Sequence, residues 1–380
     1  MKGFFFCMKA YSYLFLILCV VLLAACQEKP AILAAGTVKK KHKLSKIIPV
    51  YRNIVPDTIC IAAVGDMMLG SSYPYDNQLP PDSAKESFAT ARKYLACADI
   101  VFGNLEGTLL DSGMPATCKK NLQRAYLFRM PTYYGNIFKK AGFNLLSVAN
   151  NHITDFGEKG YTSTTQTLDS CGIHYAGLET CPTSIFERRG IKYGFCAFAP
   201  NAHTVSLLQT EHVGRLIRKL KKQCDIVIVS FHGGAEGALY EHVPHQMESF
   251  MGGKRGNVDL FAHIAIDAGA DIVLGNGPHV SRAMEIYKGR LIAYSLGNFC
   301  TYKCVSVAGV CGLAPLLKVY LNRKGEFIKG NIVSFRQTHE TGLRYDSLNH
   351  AAIRIRLLTE KDFPESGLVI TDDGEVISRN

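Results

Sequence analysis

The chain of 380 residues is marked first by what it lacks. Charged residues make up only 20% and apolar residues 47%, which excludes a disordered chain. There is no internal repeat and no low-complexity tract, which excludes collagen-like and solenoid architectures. Thirteen cysteines in a chain of this length are too dilute for a small disulfide-stapled scaffold. The spacing Cys300-x3-Cys304-x6-Cys311 matches no common zinc pattern. Gly103-Asn104-Leu105-Glu106-Gly107 lacks the spacing and the lysine of a phosphate-binding loop, which removes a nucleotide-binding reading. No basic, aromatic-rich motif accompanies the net charge of +11, so nucleic acid is not the expected partner. After residue 25 no run is long and apolar enough to span a bilayer.

What is present begins with a processing segment. Lys2 and Lys9 precede an apolar run from Tyr13 to Leu23, which ends in Leu23-Ala24-Ala25-Cys26. The order of charge, apolar run and small residues is that of a secretory signal over residues 1–25. Small residues directly before a cysteine resemble a bacterial lipobox, which implies cleavage before Cys26 and acylation there. Uncleaved, the same run would serve as a membrane anchor, although it is barely long enough. A diacylated cysteine would hold the chain stably on a bacterial membrane, exported and facing the periplasm or the cell surface. Residues 26–56 read as that cysteine and a basic tether, with Lys39-Lys40-Lys41-His42-Lys43, Lys46 and Arg52. The tether is a solvated linker or a contact for anionic headgroups. Loss of Lys2 and Lys9 lowers the net charge from +11 to +9, and over half of the rest sits in the tether. The remaining domain is only mildly basic. Of its cysteines, pairs within Cys300–Cys311 or Cys171–Cys181 are open to local bridging.

From residue 57 short apolar runs alternate with helical patterns. Strands are expected at 58–64, 99–102, 144–149, 225–231, 271–274 and 291–296. Helices are expected at Ser83–Ala96, Pro131–Ala141, Gly157–Cys171, Glu211–Gln223 and Phe261–Ala268. The alternation predicts an α/β domain over 57–345. Residues 346–380 read as a peripheral tail, in which Ile353-Arg354-Ile355-Arg356-Leu357 alternates like an exposed strand.

Ligands of open α/β sheets sit beyond the carboxyl ends of the strands. Those ends carry Asp66, Asn104, Glu106, Asn151, His152, His232, Asn276, His279 and Asn298. Each alone is explained by a cap, a turn or a satisfied polar side chain. Together, on strands expected in one sheet, they suit a divalent transition metal.

Six blocks extend this reading: Ala63-Val64-Gly65-Asp66, Gly103-Asn104-Leu105-Glu106, Ala149-Asn150-Asn151-His152, Phe231-His232-Gly233-Gly234-Ala235-Glu236, Asp267-Ala268-Gly269-Ala270-Asp271, and Gly275 to His279 with Tyr294 to Phe299. In this order they resemble the capsule synthesis protein CapA family, which is similar in fold to the calcineurin-like metallophosphoesterases. The resemblance implies a four-layer sandwich, a two-sheet β core flanked by helices. It implies Asp66, Glu106, Asn151, His232 and His279 as ligands of one or two divalent ions such as Mn, Zn or Fe. It implies Asp66 and His152 as catalytic, with Asp66 helping to hold the attacking water and His152 protonating the leaving group. Asn104, Asn276, Arg282 and Asn298 would contact substrate. Two positions depart from the phosphoesterase pattern: Met68 stands where a histidine ligand is usual, and Asn276 stands at the closing histidine motif.

Two functions follow. One is a metal-dependent hydrolase or transferase of the cell envelope, acting on an anionic polymer of the poly-γ-glutamate kind or on a phosphoester. The other is a non-catalytic accessory protein that binds the polymer through a degenerate metal site.

Overall fold

The computed structural model describes residues 58–116 and 126–379. The expected signal, Cys26 and the tether lie outside the described residues, as does Cys118. The described residues fall in one folded unit within Asn53–Asn380.

The chain builds half of one sheet, then a second sheet, and then returns to the first. It starts with β1 (Thr58–Met67), β2 (Ile100–Leu105), β3 (Leu145–Ser147) and β4 (His174–Ala176), all parallel. The second sheet follows, from β5 (Thr183–Arg188), β6 (Ile191–Phe198), β7 (Ile226–His232), β8 (Ile272–Asn276), β9 (Met284–Tyr287) and β10 (Arg290–Ala293). Its order is β9-β10-β8-β7-β6-β5. The return adds β11 (Leu313–Asn322), β12 (Phe327–Thr338), β13 (Gly342–Tyr345), β14 (Leu368–Ile370) and β15 (Glu375–Ser378). The first sheet is thus nine-stranded, in the order β14-β15-β12-β11-β1-β2-β3-β4, with β13 paired to β12.

Alternation along each strand divides its side chains between two cores. On β1, Ile59, Ile61 and Ala63 pack between the sheets against Phe195, Ile228 and Leu274. Ala62 and Val64 point outward, into a core shared with α1 (Tyr134–Ala141) and α2 (Gly157–Cys171). On β7, Ile226 and Ile228 face inward, while Val227 and Val229 pack against α3 (Thr210–Lys221) and α4 (Val258–Asp267). The result is helix, sheet, sheet, helix, the four layers that the resemblance implied. Strands apolar on both faces are what such burial requires.

Three expectations are corrected. The ligand-bearing strands belong to two sheets rather than one. The segment Ser83–Ala96 is helical only at Arg92–Leu95, and Ser83 and Ala84 sit at φ of 59° and 62°, which breaks a helix. The supposed exposed strand at 353–357 lies inside α5 (His350–Asp362). Ala351, Ala352, Ile355, Leu358 and Thr359 are buried at helical spacing, a stripe longer than the five-residue alternation that suggested a strand. Strands β14 and β15 then join the first sheet, so residues 346–379 are woven into the fold, with Ala352, Ile355, Ile370 and Val376 in the core.

The two sheets are stitched together where the ligand-bearing ends meet. Asp66 N donates to Gly297 O at 2.8 Å, and Phe299 N donates to Asp66 O at 2.8 Å. A Cβ on Gly65 would sit 1.9 Å from Gly297 O, so this backbone contact tolerates only glycine.

Candidate metal centre

Asp66 closes β1 and is buried at the meeting of the sheets. Its Oδ1 accepts from Asn104 Nδ2 at 2.7 Å, and its Oδ2 accepts from Gly277 N at 3.1 Å. His279 Nδ1 lies 3.2 Å from Oδ2, and His232 Nδ1 lies 3.8 Å from Oδ1. Burial alone would raise this carboxyl, but the bonds and charges of His232 and His279 hold it well below the usual carboxylate range. Gly277 (φ 111°) brings its N–H to Asp66, and a Cβ there would come within 2.9 Å of Gly233 N.

Glu106 follows β2 and is also buried. Neither of its carboxylate oxygens has a hydrogen-bond partner. Oε1 faces His279 Nε2 at 3.5 Å and His152 Nε2 at 3.8 Å. Burial pushes the carboxyl well up, and the charge of Asp66 adds to the effect. A buried carboxylate left without donors is costly, and a bound cation removes that cost.

His279 is held at φ 59°, a strained position for a non-glycine residue. Its Nδ1–H faces two acceptors, Asn298 Oδ1 at 3.0 Å and Asp66 Oδ2 at 3.2 Å. That holds a proton on Nδ1 and turns Nε2, the nitrogen left to ligate, toward Glu106. Burial opposes its charged form, yet Glu106 and Asp66 overcome this and push the imidazole up to about 10. Asp66, Glu106 and His279 offer ligand atoms that all lie within 4.8 Å of one another. His232 adds a buried Nε2 without a partner, and burial keeps its ring neutral, the state that can ligate. Asn151, the residue before His152, has a buried, unpartnered Oδ1. Carboxylate, imidazole and amide oxygen together suit a borderline divalent metal, so the residues fit one.

His152 sits at the mouth. Its Nδ1 lies 2.8 Å from Asp155 Oδ2, its ring stacks on Phe128 with centroids 4.0 Å apart, and its Nε2 points toward Glu106. Asp155 also accepts from Phe128 N at 2.8 Å and so positions both rings. His152, His279, Phe128, Tyr126 and Glu236 line a cleft of about 240 Å³.

The expected substrate contacts fare differently. Asn104 turns its amide to Asp66 and to His232 Nδ1 (3.2 Å) and positions ligands. Asn298 spends its Oδ1 on His279 and its Nδ2 on His279 O, Ser306 O and Cys311 O. Asn276 is fully buried, its Nδ2 donating to Ser230 Oγ at 3.2 Å, which leaves only an unpartnered Oδ1. Arg282 is 0% exposed and grips Glu248 through two bonds of 2.8 Å, with Tyr240 O and Ala235 O as further acceptors. It is an internal clamp and not an anion receptor. Met68 is buried in place of a ligand.

Sequence reasoning missed Asn150 and Asp155. Asn150 donates to Leu105 O and Asn104 Oδ1 and accepts from His152 N. The doubled Asn150-Asn151 before His152 was the available signal, read only at its second member.

The model of the bacterial capsule synthesis protein PGA_cap matches residues 60–303. The chain is 27% identical over 267 residues to the capsule biosynthesis protein CapA of Bacillus anthracis. It is 28% identical over 271 residues to the PGA biosynthesis protein CapA of Bacillus subtilis. These alignments cover 64% and 66% of this chain, which spans 60% and 65% of the relatives' own length. A "probable polyglutamine synthesis accessory protein" of Mycobacterium tuberculosis is 27% identical over 297 residues, covering 64% of this chain and 74% of that one. Among solved structures, a 5'-nucleotidase precursor from Thermus thermophilus overlaps loosely, at TM-score 0.42 and 12% identity over 75% of this chain and 55% of that one. By the match over residues 60–303, this chain belongs to the bacterial capsule synthesis protein PGA_cap family.

Proposed function

We propose that this chain is an exported, lipid-anchored metal-dependent hydrolase or transferase that acts on an anionic polymer of the poly-γ-glutamate kind or on a phosphoester. The observation that carries the reading is the buried pair Asp66 and Glu106 facing His279 and His232, with both Glu106 oxygens and His232 Nε2 lacking partners. These four residues, with Asn151 Oδ1, would hold the metal. When bound, a divalent ion supplies Lewis-acid polarisation and lowers the pKa of water.

The chain's own groups supply the rest. Asp66, held low, stays an acceptor for the attacking water's proton side. His152 is oriented through Asp155, so its Nε2 is the group placed to donate a proton to a leaving oxygen or nitrogen. Among the described residues the cleft is lined by no Lys or Arg, and the side chains placed there to meet a carboxylate or phosphate are His152 and His279. The loss of a ligand at Met68 favours a single metal.

The test is turnover of a generic phosphodiester and of a γ-glutamyl polymer by metal-loaded protein. Activity that disappears with chelator and in Asp66→Asn and His279→Ala supports the reading. The accessory reading, favoured by Met68 and the buried Asn276, wins if the protein binds polymer without turnover and both variants leave that binding intact.

A further inference from the structure

A second group of metal-ligand side chains stands apart from the residues above. Asp259 and His263 lie four residues apart on α4, and Glu285 faces them from β9. Their ligand atoms all fall within 4.8 Å of one another. His263 Nε2 is 2.9 Å from Glu285 Oε2 and 3.5 Å from Asp259 Oδ1. Behind them, His245 Nδ1 lies 2.8 Å from Asp259 Oδ2. We propose that Asp259, His263 and Glu285 form a second divalent-cation site of the zinc type, with three protein ligands and the fourth position left to water.

Three observations carry this. The first is spacing: a tetrahedral shell of about 2.0–2.1 Å radius separates its ligand atoms by about 3.3 Å. The distances of 2.9 and 3.5 Å from His263 Nε2 to the two carboxylates need only small adjustments to match. The second is charge. Among the described residues neither Asp259 nor Glu285 pairs with a Lys or Arg, and their ion-pair partners are imidazoles. The third is the surrounding support. His245, its Nε2 3.1 Å from Asp362 O and its Nδ1 on Asp259 Oδ2, braces the Asp259 carboxylate from outside the ligand set. Tyr294 Oη donates to Glu285 Oε2 at 2.7 Å and lies 3.2 Å from Asp259 Oδ1, orienting both carboxylates. The His263 ring stacks on Tyr287 with centroids 3.9 Å apart. His245 is about half exposed, which gives the ion a way in. With the ion bound, α4 is tied to β9.

The test uses Co2+ as probe on the full chain. Asp66→Asn/His279→Ala, which removes the first site, is expected to bind one Co2+ and show the intense visible absorption of four-coordinate cobalt. His263→Ala in an otherwise native chain is expected to lower the bound Co2+ by one equivalent and to lose that band. Glu285→Gln, which keeps the shape and the Tyr294 contact, is expected to weaken Co2+ binding at least about tenfold. Should His263→Ala fail to fold by circular dichroism, Glu285→Gln decides. The proposal is overturned if Co2+ binding and its spectrum are unchanged in Glu285→Gln, or if only weak octahedral absorption is seen in every form.

Discussion

Replacing Arg282 separates two accounts of that residue by magnitude. The side chain is fully buried, and its partner Glu248 is 6% exposed. Arg282→Met leaves the Glu248 carboxylate with Ala235 N (2.9 Å) as its remaining donor and strips Tyr240 O and Ala235 O of theirs. Removing one partner of a buried ion pair costs about 3–5 kcal/mol. Against a native stability of about 5–15 kcal/mol, that is a large share. With a urea slope of about 3 kcal/mol/M, the unfolding midpoint falls by about 1–1.7 M. The chain has no tryptophan, so far-ultraviolet circular dichroism is the suitable probe. The double change Arg282→Met/Glu248→Leu removes both charges and recovers most of the loss, because no uncompensated carboxylate is left inside. A midpoint within about 0.3 M of native, together with a raised KM, would refute the clamp and restore Arg282 as a substrate contact.

Other expectations can be checked alongside. Asp155→Asn removes the acceptor that orients His152, so kcat falls by roughly 10–100-fold with little change in metal content, read by turnover and elemental analysis. Saturating divalent metal at about 100-fold its Kd raises stability by about 2.7 kcal/mol, and chelator or Asp66→Asn reverses this in a thermal melt. Gly65→Ala forces a Cβ into Gly297 O and is expected to abolish soluble expression or lower the melting temperature sharply, because both sheets would have to separate. Burial pushes the Cys196 and Cys300 thiols well up, so alkylation at pH 8 labels exposed Cys97 first and leaves those two unmodified until unfolding, by peptide mass spectrometry.

The parts of the fold legible in the sequence were those with local cause. Strands at the carboxyl ends of which ligands sit are apolar on both faces, and α2, with Gly172 as its left-handed stop, has the bounds its pattern suggested. The division of these strands between two sheets was not legible, because alternation specifies that both faces are buried but not against which partner. Strands β11 and β12 went unrecognised, although they form the longest hairpin of the first sheet, and α5 was mistaken for a strand because Arg354 and Arg356 interrupt its apolar stripe.

In the site, residue types were legible and roles were less so. Asp66, Glu106, His232 and His279 converge as expected. Asn298 joins them as a brace for His279 and Arg282 is tied to Glu248 instead, since a polar residue after a strand reads alike whether it faces substrate or braces a neighbour, and only the hydrogen-bond partners distinguish the two.

The most direct measurement is the metal content of the purified chain beside that of Asp66→Asn/His279→Ala. The account predicts one equivalent of divalent metal more in the native chain, lost together with turnover. Equal metal content in the two forms, or none in either, would contradict it.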